Sequence, residues 1–235
     1  MIISIIRNYP LRTAIPLILF ALFTSVFSLS FHEFSHALTA YALGDPTAKS
    51  RGRLSLNPLK HLNPIGFISM LLTGFGWAEP VPINPIRFKN RKLGMALTAF
   101  AGPVSNVILS FFGLFLQYGT LVLSLKIDPS LGIAAEYPTV LVVLLDFFYY
   151  FHLVNLQLAL FNLIPVPPLD GSRIVSIFLP SHLYFKVMKY EKYIAVGLVI
   201  LLYFGLLDGP LSYVTVRISD LMAELILKIP FLRIG

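Results

Sequence analysis

Long stretches without charge constrain this chain more than any other feature of its sequence. Residues 13–31 and 93–125 carry no charged side chain, and residues 137–169 carry one, Asp146. Each of these stretches is close to or above the roughly 20 residues that a helix needs to cross a bilayer. A fourth stretch, Tyr193–Leu207, has only 15 residues. A helix here must therefore include flanking residues, or it is too short to cross the full thickness of the bilayer.

The overall composition agrees with a membrane protein. Hydrophobic residues make up 57% of the chain and charged residues only 12%. A soluble domain carries about twice that share of charge, so soluble globular and disordered classes are excluded. We predict an all-α polytopic membrane protein embedded in the lipid bilayer, with about four spanning helices. It forms one membrane domain over residues 1–235, with a core at 11–175 and C-terminal helices at 186–235.

Two further segments differ from the spanning helices. The apolar stretch Leu62–Ala78 contains a proline and several glycines. A broken backbone cannot face lipid, because its amide groups would lack partners. We therefore predict a re-entrant or β-hairpin-like segment, followed by an extended strand at Gly76–Phe88, which is rich in proline. In the tail, Leu211–Gly235, charged residues at helical spacing predict a C-terminal helix at the membrane interface.

The basic residues indicate an orientation. The formal net charge is +7, and 12 of the 18 Lys and Arg residues lie in segments 44–92 and 170–192. Such clusters between apolar runs are typical of cytoplasmic loops and not of a nucleic-acid-binding surface. We expect both segments to be cytoplasmic and expect no nucleic acid partner. Cysteine is absent, so a metal site must use histidine and carboxylate ligands.

The motif HEFSH, at His32–His36, carries the chemistry. Its two histidines are four residues apart, which places both imidazoles on one helix face where they can bind one metal ion. Glu33 lies beside them and can reach a water on that ion. The alternative is a helix end at the interface with solvated polar residues. However, the helical pattern continues to Leu43, so the motif lies at least one turn inside, where charge costs about 3 kcal/mol.

A catalytic zinc needs a third protein ligand. Three histidines and one aspartate are the candidates: His61, His152, His182 and Asp170. Geometry favours Asp170, because the prolines of Leu160–Gly171 break the third span and hold this residue on the side of the HEFSH motif. A plain helix cap for Ser172–Leu179 is an equally good reading of Asp170. For two other deep polar residues, His152 and Asn155, interhelical hydrogen bonding is the preferred interpretation.

Five motifs in order resemble those of the site-2 proteases, the family of intramembrane zinc metalloproteases. They span roughly Leu11–Val175 and read HEFSH, GRLSLNPLKHLNPIG, GWAEPVPINP, AGPVSN and FNLIPVPPLDG. Their order and spacing are far more specific than the H-E-x-x-H pattern alone. The chain is most similar to compact bacterial-type members without a PDZ or nucleotide-sensing domain.

The resemblance implies a function and a set of site residues. It implies an intramembrane zinc metalloendopeptidase, with one zinc per chain, that hydrolyses peptide bonds in or near transmembrane segments of membrane-protein substrates. Such a protein would be a multi-pass protein of the bacterial cell membrane with its active site open to the cytoplasm. The implied residues are zinc ligands His32, His36 and Asp170, the base Glu33 that activates the water, and the substrate-positioning residues Asn106 and Asn162.

Two other functions compete with this interpretation. The first is a catalytically silent pseudoprotease that only binds substrate, but a structural metal site has no use for a base such as Glu33. The second is an ion-coupled transporter, since intramembrane ionisable groups also mark ion paths. Transporters often contain pairs of broken helices that are related by an internal repeat. In this sequence prolines break the end of one span only, and no second segment repeats that pattern.

Overall fold

A computed structural model of the chain describes residues 10–73, 76–132 and 138–232. The described residues are mostly α-helical and include no β-strand, in agreement with the predicted all-α class. The helices are α1 (Leu11–Ala42), α2 (Thr47–Ser50), α3 (Pro64–Thr73), α4 (Arg91–Ile127), α5 (Thr139–Asn162), α6 (Asp170–Val175), α7 (Ser181–Met188), α8 (Glu191–Tyr203) and α9 (Asp208–Leu227). Short 3-10 turns lie at Pro58–Lys60, Pro85–Arg87, Pro129–Gly132 and Pro230–Leu232.

Helices α1, α4 and α5 are long and apolar enough to cross a membrane. They correspond to the three uncharged stretches of the sequence, which confirms the polytopic prediction. Large apolar side chains such as Leu19, Phe23 and Ile108 are more than half exposed on these helices. A soluble protein seldom leaves such extensive apolar surface in water, so lipid is the natural environment of these faces.

The fourth stretch does not form one straight span. Helix α8 has 13 residues, or about 20 Å at the rise of an α-helix, which is less than the bilayer core of roughly 30 Å. The chain then bends by 79° into α9. Gly205 lies at the bend with φ +67°, a left-handed conformation that favours glycine. Together the two helices are long and apolar enough to be a fourth, broken span.

Helix α5 packs against both α4 and α1. Gly113 of α4 lies against α5, where an added Cβ would sit 2.9 Å from a ring atom of Phe151. Helices α1 and α5 meet through aromatic rings, with centroids 5.0 Å apart for Phe20 and Phe147. A C-terminal helix is present, but α9 begins at Asp208 and ends at Leu227, whereas the prediction was Leu211–Gly235. It packs on α4 and α5 through a core cluster of Leu114, Val122, Leu156, Met222, Ile226 and Leu232, and its location at the membrane interface stays a prediction.

The segment around α3 turns back on itself. Leu62 and Ala78 form an isolated antiparallel bridge, and the Glu79 N–H donates to the carbonyl oxygen of His61 over 2.8 Å. Both ends of the segment therefore lie side by side. Helix α3 has ten residues, about 15 Å, and reaches only half-way through a bilayer core. These features support the predicted re-entrant hairpin; Gly74 lies outside the described residues.

A buried carboxylate ties the end of α1 to the extended segment. Asp45 is fully buried and accepts hydrogen bonds from the N–H and hydroxyl of Thr47 and from the Asn84 N–H, the last over 2.6 Å. Burial alone would raise the pKa of Asp45, but these hydrogen bonds and the charge of Arg87 hold it below its usual range. Asp45 thus fixes Asn84 beside the end of the helix that carries the HEFSH motif.

Candidate active site

Three predicted residues from two distant parts of the chain converge on one point. The Nε2 atoms of His32 and His36 are 3.0 Å apart. The Oδ2 atom of Asp170 lies 3.0 Å from the first and 3.2 Å from the second. Both imidazoles are buried, and the Asp170 side chain is 12% exposed. Within the described ranges, this is the group of histidine and carboxylate side chains that could hold a metal ion.

The partners of the other ring nitrogens determine the tautomers. His32 Nδ1 lies 2.6 Å from Asn106 Oδ1, and His36 Nδ1 lies 2.7 Å from the Thr98 carbonyl oxygen. The Asn106 amide is oriented by its own Nδ2, which donates to Asn155 Oδ1. Because both acceptors are oxygens, each Nδ1 carries a hydrogen, and the Nε2 of each neutral ring then presents its lone pair toward Asp170.

This arrangement fits a divalent cation. The two Nε2 atoms and Asp170 Oδ2 lie within 3.2 Å of one another, so a proton or a metal cation must lie among these three acceptor atoms. Tetrahedral zinc with bonds of about 2.0–2.1 Å places its ligand atoms roughly 3.3 Å apart. Two histidines and one carboxylate, with a fourth position for water, form a known type of catalytic zinc site.

Gly102 of α4 lies directly against the rings of His32 and His36. A Cβ added there would lie 2.5 Å from His36 Cε1 and 2.6 Å from both Cε1 and Nε2 of His32. The α4 backbone therefore packs directly against both rings, and only glycine allows that approach. Gly102 was not among the residues predicted for the site. A signal was available, because Gly102 precedes Asn106 by one helical turn within the motif AGPVSN.

Asp170 reaches the site because the chain turns sharply after α5. Helix α6 begins at Asp170, and Gly171 packs against the carbonyl oxygens of Leu163 and Ile164, where an added Cβ would clash. No side chain caps this helix at its N-cap, Leu169. The Asp170 carboxylate instead faces the histidines, so the structure does not show the plain helix cap that the sequence also allowed. The helix is also shorter than predicted, since it ends at Val175.

Glu33 is buried beside the extended segment. Its Oε2 accepts a hydrogen bond from the Val81 N–H over 3.1 Å, and Val81 itself is buried. This bond orients the carboxylate and occupies only one of its two oxygens. Residues 76–84 are non-helical, as predicted, but the extended conformation predicted for the whole of Gly76–Phe88 is wrong at Pro85–Arg87, which form a 3-10 turn. The contact shows that this segment lies directly against the HEFSH face of α1.

The two asparagines expected to line the site have different surroundings. Asn106 is fully buried, and its Nδ2 donates to Asn155 Oδ1 at 3.0 Å and to the Ser28 carbonyl at 3.3 Å. With Oδ1 on His32, its geometry is that of a partner for the histidine and not of a free donor for a substrate carbonyl. Asn162 is half-buried at the end of α5, and its Nδ2 donates to the Leu158 carbonyl oxygen over 2.9 Å.

The other histidines have separate partners. His61 Nε2 lies 2.7 Å from the Ser55 carbonyl oxygen, and His182 is exposed on α7. His152 contacts Ser110 and Ser219, each at 2.8 Å, and so links α5 to α4 and α9. This pattern supports the interhelical interpretation of His152.

The helical membrane fold with a buried histidine–carboxylate cluster is the arrangement expected of a membrane-embedded metallopeptidase. Comparisons with known proteins agree. Residues 125–204 match Peptidase family M50. The chain is 43% identical over 185 residues to "Putative zinc metalloprotease YwhC" of Bacillus subtilis, a match that covers 79% of this chain and 78% of the relative. It is 32% identical over 88 residues to "Putative zinc metalloprotease Rip2" of Mycolicibacterium smegmatis, covering 35% and 34% of the two chains.

The chain belongs to peptidase family M50, the site-2 proteases. No solved structure gives a significant match. Membership confirms the family resemblance carried by the five motifs. It also confirms, at the level of the family, the predicted class of zinc metalloprotease and zinc as the metal.

Proposed function

We propose that this chain is an intramembrane zinc endopeptidase in which His32, His36 and Asp170 hold the zinc and Glu33 is the catalytic base. The observation that carries the proposal is the convergence, within 3.2 Å, of two imidazole nitrogens of a spanning helix and a carboxylate oxygen of Asp170. A buried cluster of this kind has little use in a bundle that only needs to pack.

Each residue has a distinct task in the proposed reaction. Bound zinc supplies Lewis acidity, which lowers the pKa of a water toward neutrality and polarises the scissile carbonyl. Glu33, held by the Val81 N–H, accepts a proton from the attacking water and later delivers it to the leaving amine. The Nδ1 contacts of both histidines keep their Nε2 lone pairs on the metal side.

The position of the site favours membrane-protein substrates. His32 and His36 are ten and six residues before the end of α1, or about 15 Å and 9 Å along the helix. The site therefore lies within the membrane span, and the water for hydrolysis must reach it from the C-terminal end of α1. The target is a peptide bond in or near a transmembrane segment of another protein. Such a helix must unwind locally, because its own hydrogen bonds protect its peptide groups.

The charge distribution supports a cytoplasmic opening. The Lys92 ammonium donates to the Leu179 carbonyl oxygen over 3.0 Å, which brings the two basic segments to one end of the bundle. That end also contains Ala42 of α1 and Asp170. By the positive-inside tendency, we assign it to the cytoplasm of a bacterial cell membrane.

Replacing Glu33 with Gln tests the proposal. Gln keeps the size of the side chain and an acceptor for the Val81 N–H, but it cannot take the proton. We expect E33Q to retain one zinc per chain and to lose at least about 100-fold in cleavage rate of a single-span substrate. The matched control is E79Q. Glu79 lies on the same extended segment as Val81, and its exposed carboxylate forms an ion pair with Arg53.

The same experiment separates the competing functions. Proteolysis at the wild-type rate in E33Q would contradict the assignment of the base. Zinc binding by the wild type without cleavage of any membrane protein would favour a pseudoprotease. Ion flux in vesicles, unaffected by E33Q, would favour a transporter. Substrates are found by comparing the membrane proteomes of E33Q and wild-type strains for uncleaved single-span proteins.

A further inference from the structure

A chain of amide contacts runs from α5 through α4 to the proposed zinc ligand on α1. Asn155 Nδ2 donates to the Phe151 carbonyl oxygen over 2.8 Å, so Asn155 Oδ1 points toward α4. That oxygen accepts from Asn106 Nδ2 at 3.0 Å, and Asn106 Oδ1 accepts from His32 Nδ1 at 2.6 Å. Each contact fixes the orientation of the next group.

The two histidines differ in how their tautomers are held. His36 Nδ1 donates to the backbone carbonyl of Thr98, which cannot exchange donor and acceptor. His32 Nδ1 faces an amide, and an amide can rotate by 180° and present its NH₂ group instead. With that rotation His32 would carry its hydrogen on Nε2 and could not donate a lone pair to zinc. The orientation of the Asn106 amide therefore decides whether His32 is a competent ligand.

We propose that Asn155 is a positioning residue for the zinc site, because it holds the Asn106 amide in the orientation that His32 requires. The inference rests on the proposed function, since it takes His32 as a zinc ligand. Without Asn155, the remaining acceptor of Asn106 Nδ2 is the Ser28 carbonyl at 3.3 Å, a weaker contact. Asn106 and Asn155 are both 0% exposed, so bulk water does not replace the lost acceptor.

The test measures zinc affinity of the purified full chain by competition with a chromophoric chelator. We expect N155L to bind zinc about 10–100-fold more weakly than the wild type. S110A is the matched control, because it removes a contact between the same two helices, with His152 at 2.8 Å, that does not lead to His32. We expect its zinc affinity to stay within about two-fold of the wild type.

A rescue variant separates positioning from packing. In N106D/N155L the aspartate has only acceptor oxygens, so it enforces the Nδ1–H tautomer of His32 without help from Asn155. We expect this double variant to recover zinc affinity to within a few-fold of the wild type. Thermal unfolding of the zinc-free proteins checks the fold, and N155A replaces N155L if the leucine is not accommodated.

The outcomes distinguish the two proposals. Wild-type zinc affinity in N155L or N155A overturns the role of Asn155, as does an equal loss in S110A. Failure of the folded double variant to recover affinity overturns the amide-orientation mechanism. If the wild type binds no zinc, or if H32A leaves its affinity unchanged, the proposed function itself fails.

Discussion

The substitution Gly102→Ala adds one methyl group against the rings of His32 and His36. The added Cβ would lie 2.5 Å from His36 Cε1 and 2.6 Å from His32 Cε1. Carbon atoms in comfortable contact are at least about 3.5 Å apart, so the rings must retreat by roughly 1 Å. Metal ligands tolerate displacements of only about 0.2 Å, and a 1 Å misplacement in a catalytic site costs on the order of 100-fold in rate.

We expect G102A to lose about 100-fold in kcat/KM and to bind zinc more weakly than the wild type. Overpacking of this kind also costs about 1–3 kcal/mol of stability. The control is G119A in the same helix, where an added Cβ meets no atom within 4 Å. Alanine there should stabilise the helix by about 0.5–1 kcal/mol and leave activity intact. Zinc titration, substrate cleavage and unfolding of both variants provide the readouts; wild-type zinc affinity and cleavage in G102A would refute the packing of α4 on the rings.

Two further predictions concern the supports of the site. In G171A the added Cβ would clash with two backbone carbonyl oxygens that cannot move away, so we expect Asp170 to be displaced and the bound zinc to be lost. The control is G197A, which has open space around the added Cβ and should retain zinc. Equal zinc contents in the two variants would contradict this prediction. Because the pKa of Asp45 is below its usual range, its contribution to stability is present above the unfolded-state value of about 3.9 and is lost as pH falls through the folded-state value. The difference in unfolding midpoint between wild type and D45N should be constant above about pH 5 and shrink at lower pH; a difference that grows on acidification would contradict the sign.

The spanning helices could be predicted because lipid leaves the backbone few options. An uncharged apolar run must satisfy its own amide groups, and the helical form does so within the segment. Thus the predicted pattern Leu11–Leu43 matches α1, which ends at Ala42. The fourth stretch was less clear, because 15 residues are too few for a span. Gly205 was the available signal for the bend that the structure shows.

The site divides into local and long-range parts. The spacing of His32 and His36 is a property of one helix and needs no tertiary information. Asp170 is 138 residues from His32. The sequence pattern favoured it over the histidines as the third ligand but left it balanced between ligand and helix cap, and the family resemblance favoured the ligand. The Thr98 contact escaped prediction because a backbone carbonyl leaves no mark in the sequence.

Asn155 shows a different limit of sequence reasoning. An interhelical hydrogen bond was the preferred interpretation, and the structure does show one to Asn106. What the sequence does not reveal is that this bond continues to His32, because that depends on how three helices meet. For Gly102 the spacing from Asn106 was a signal, but its importance lies in the two histidine rings packed against it, which belong to another helix.

X-ray absorption at the zinc edge of the purified protein identifies the side chains that bind the metal. We expect one zinc per chain with two imidazole nitrogens and oxygen ligands at about 2.0–2.1 Å. We also expect D170A to lose the metal or one of its oxygen ligands. A zinc environment that stays the same in D170A, or one with fewer than two imidazoles in the wild type, would contradict the assigned site.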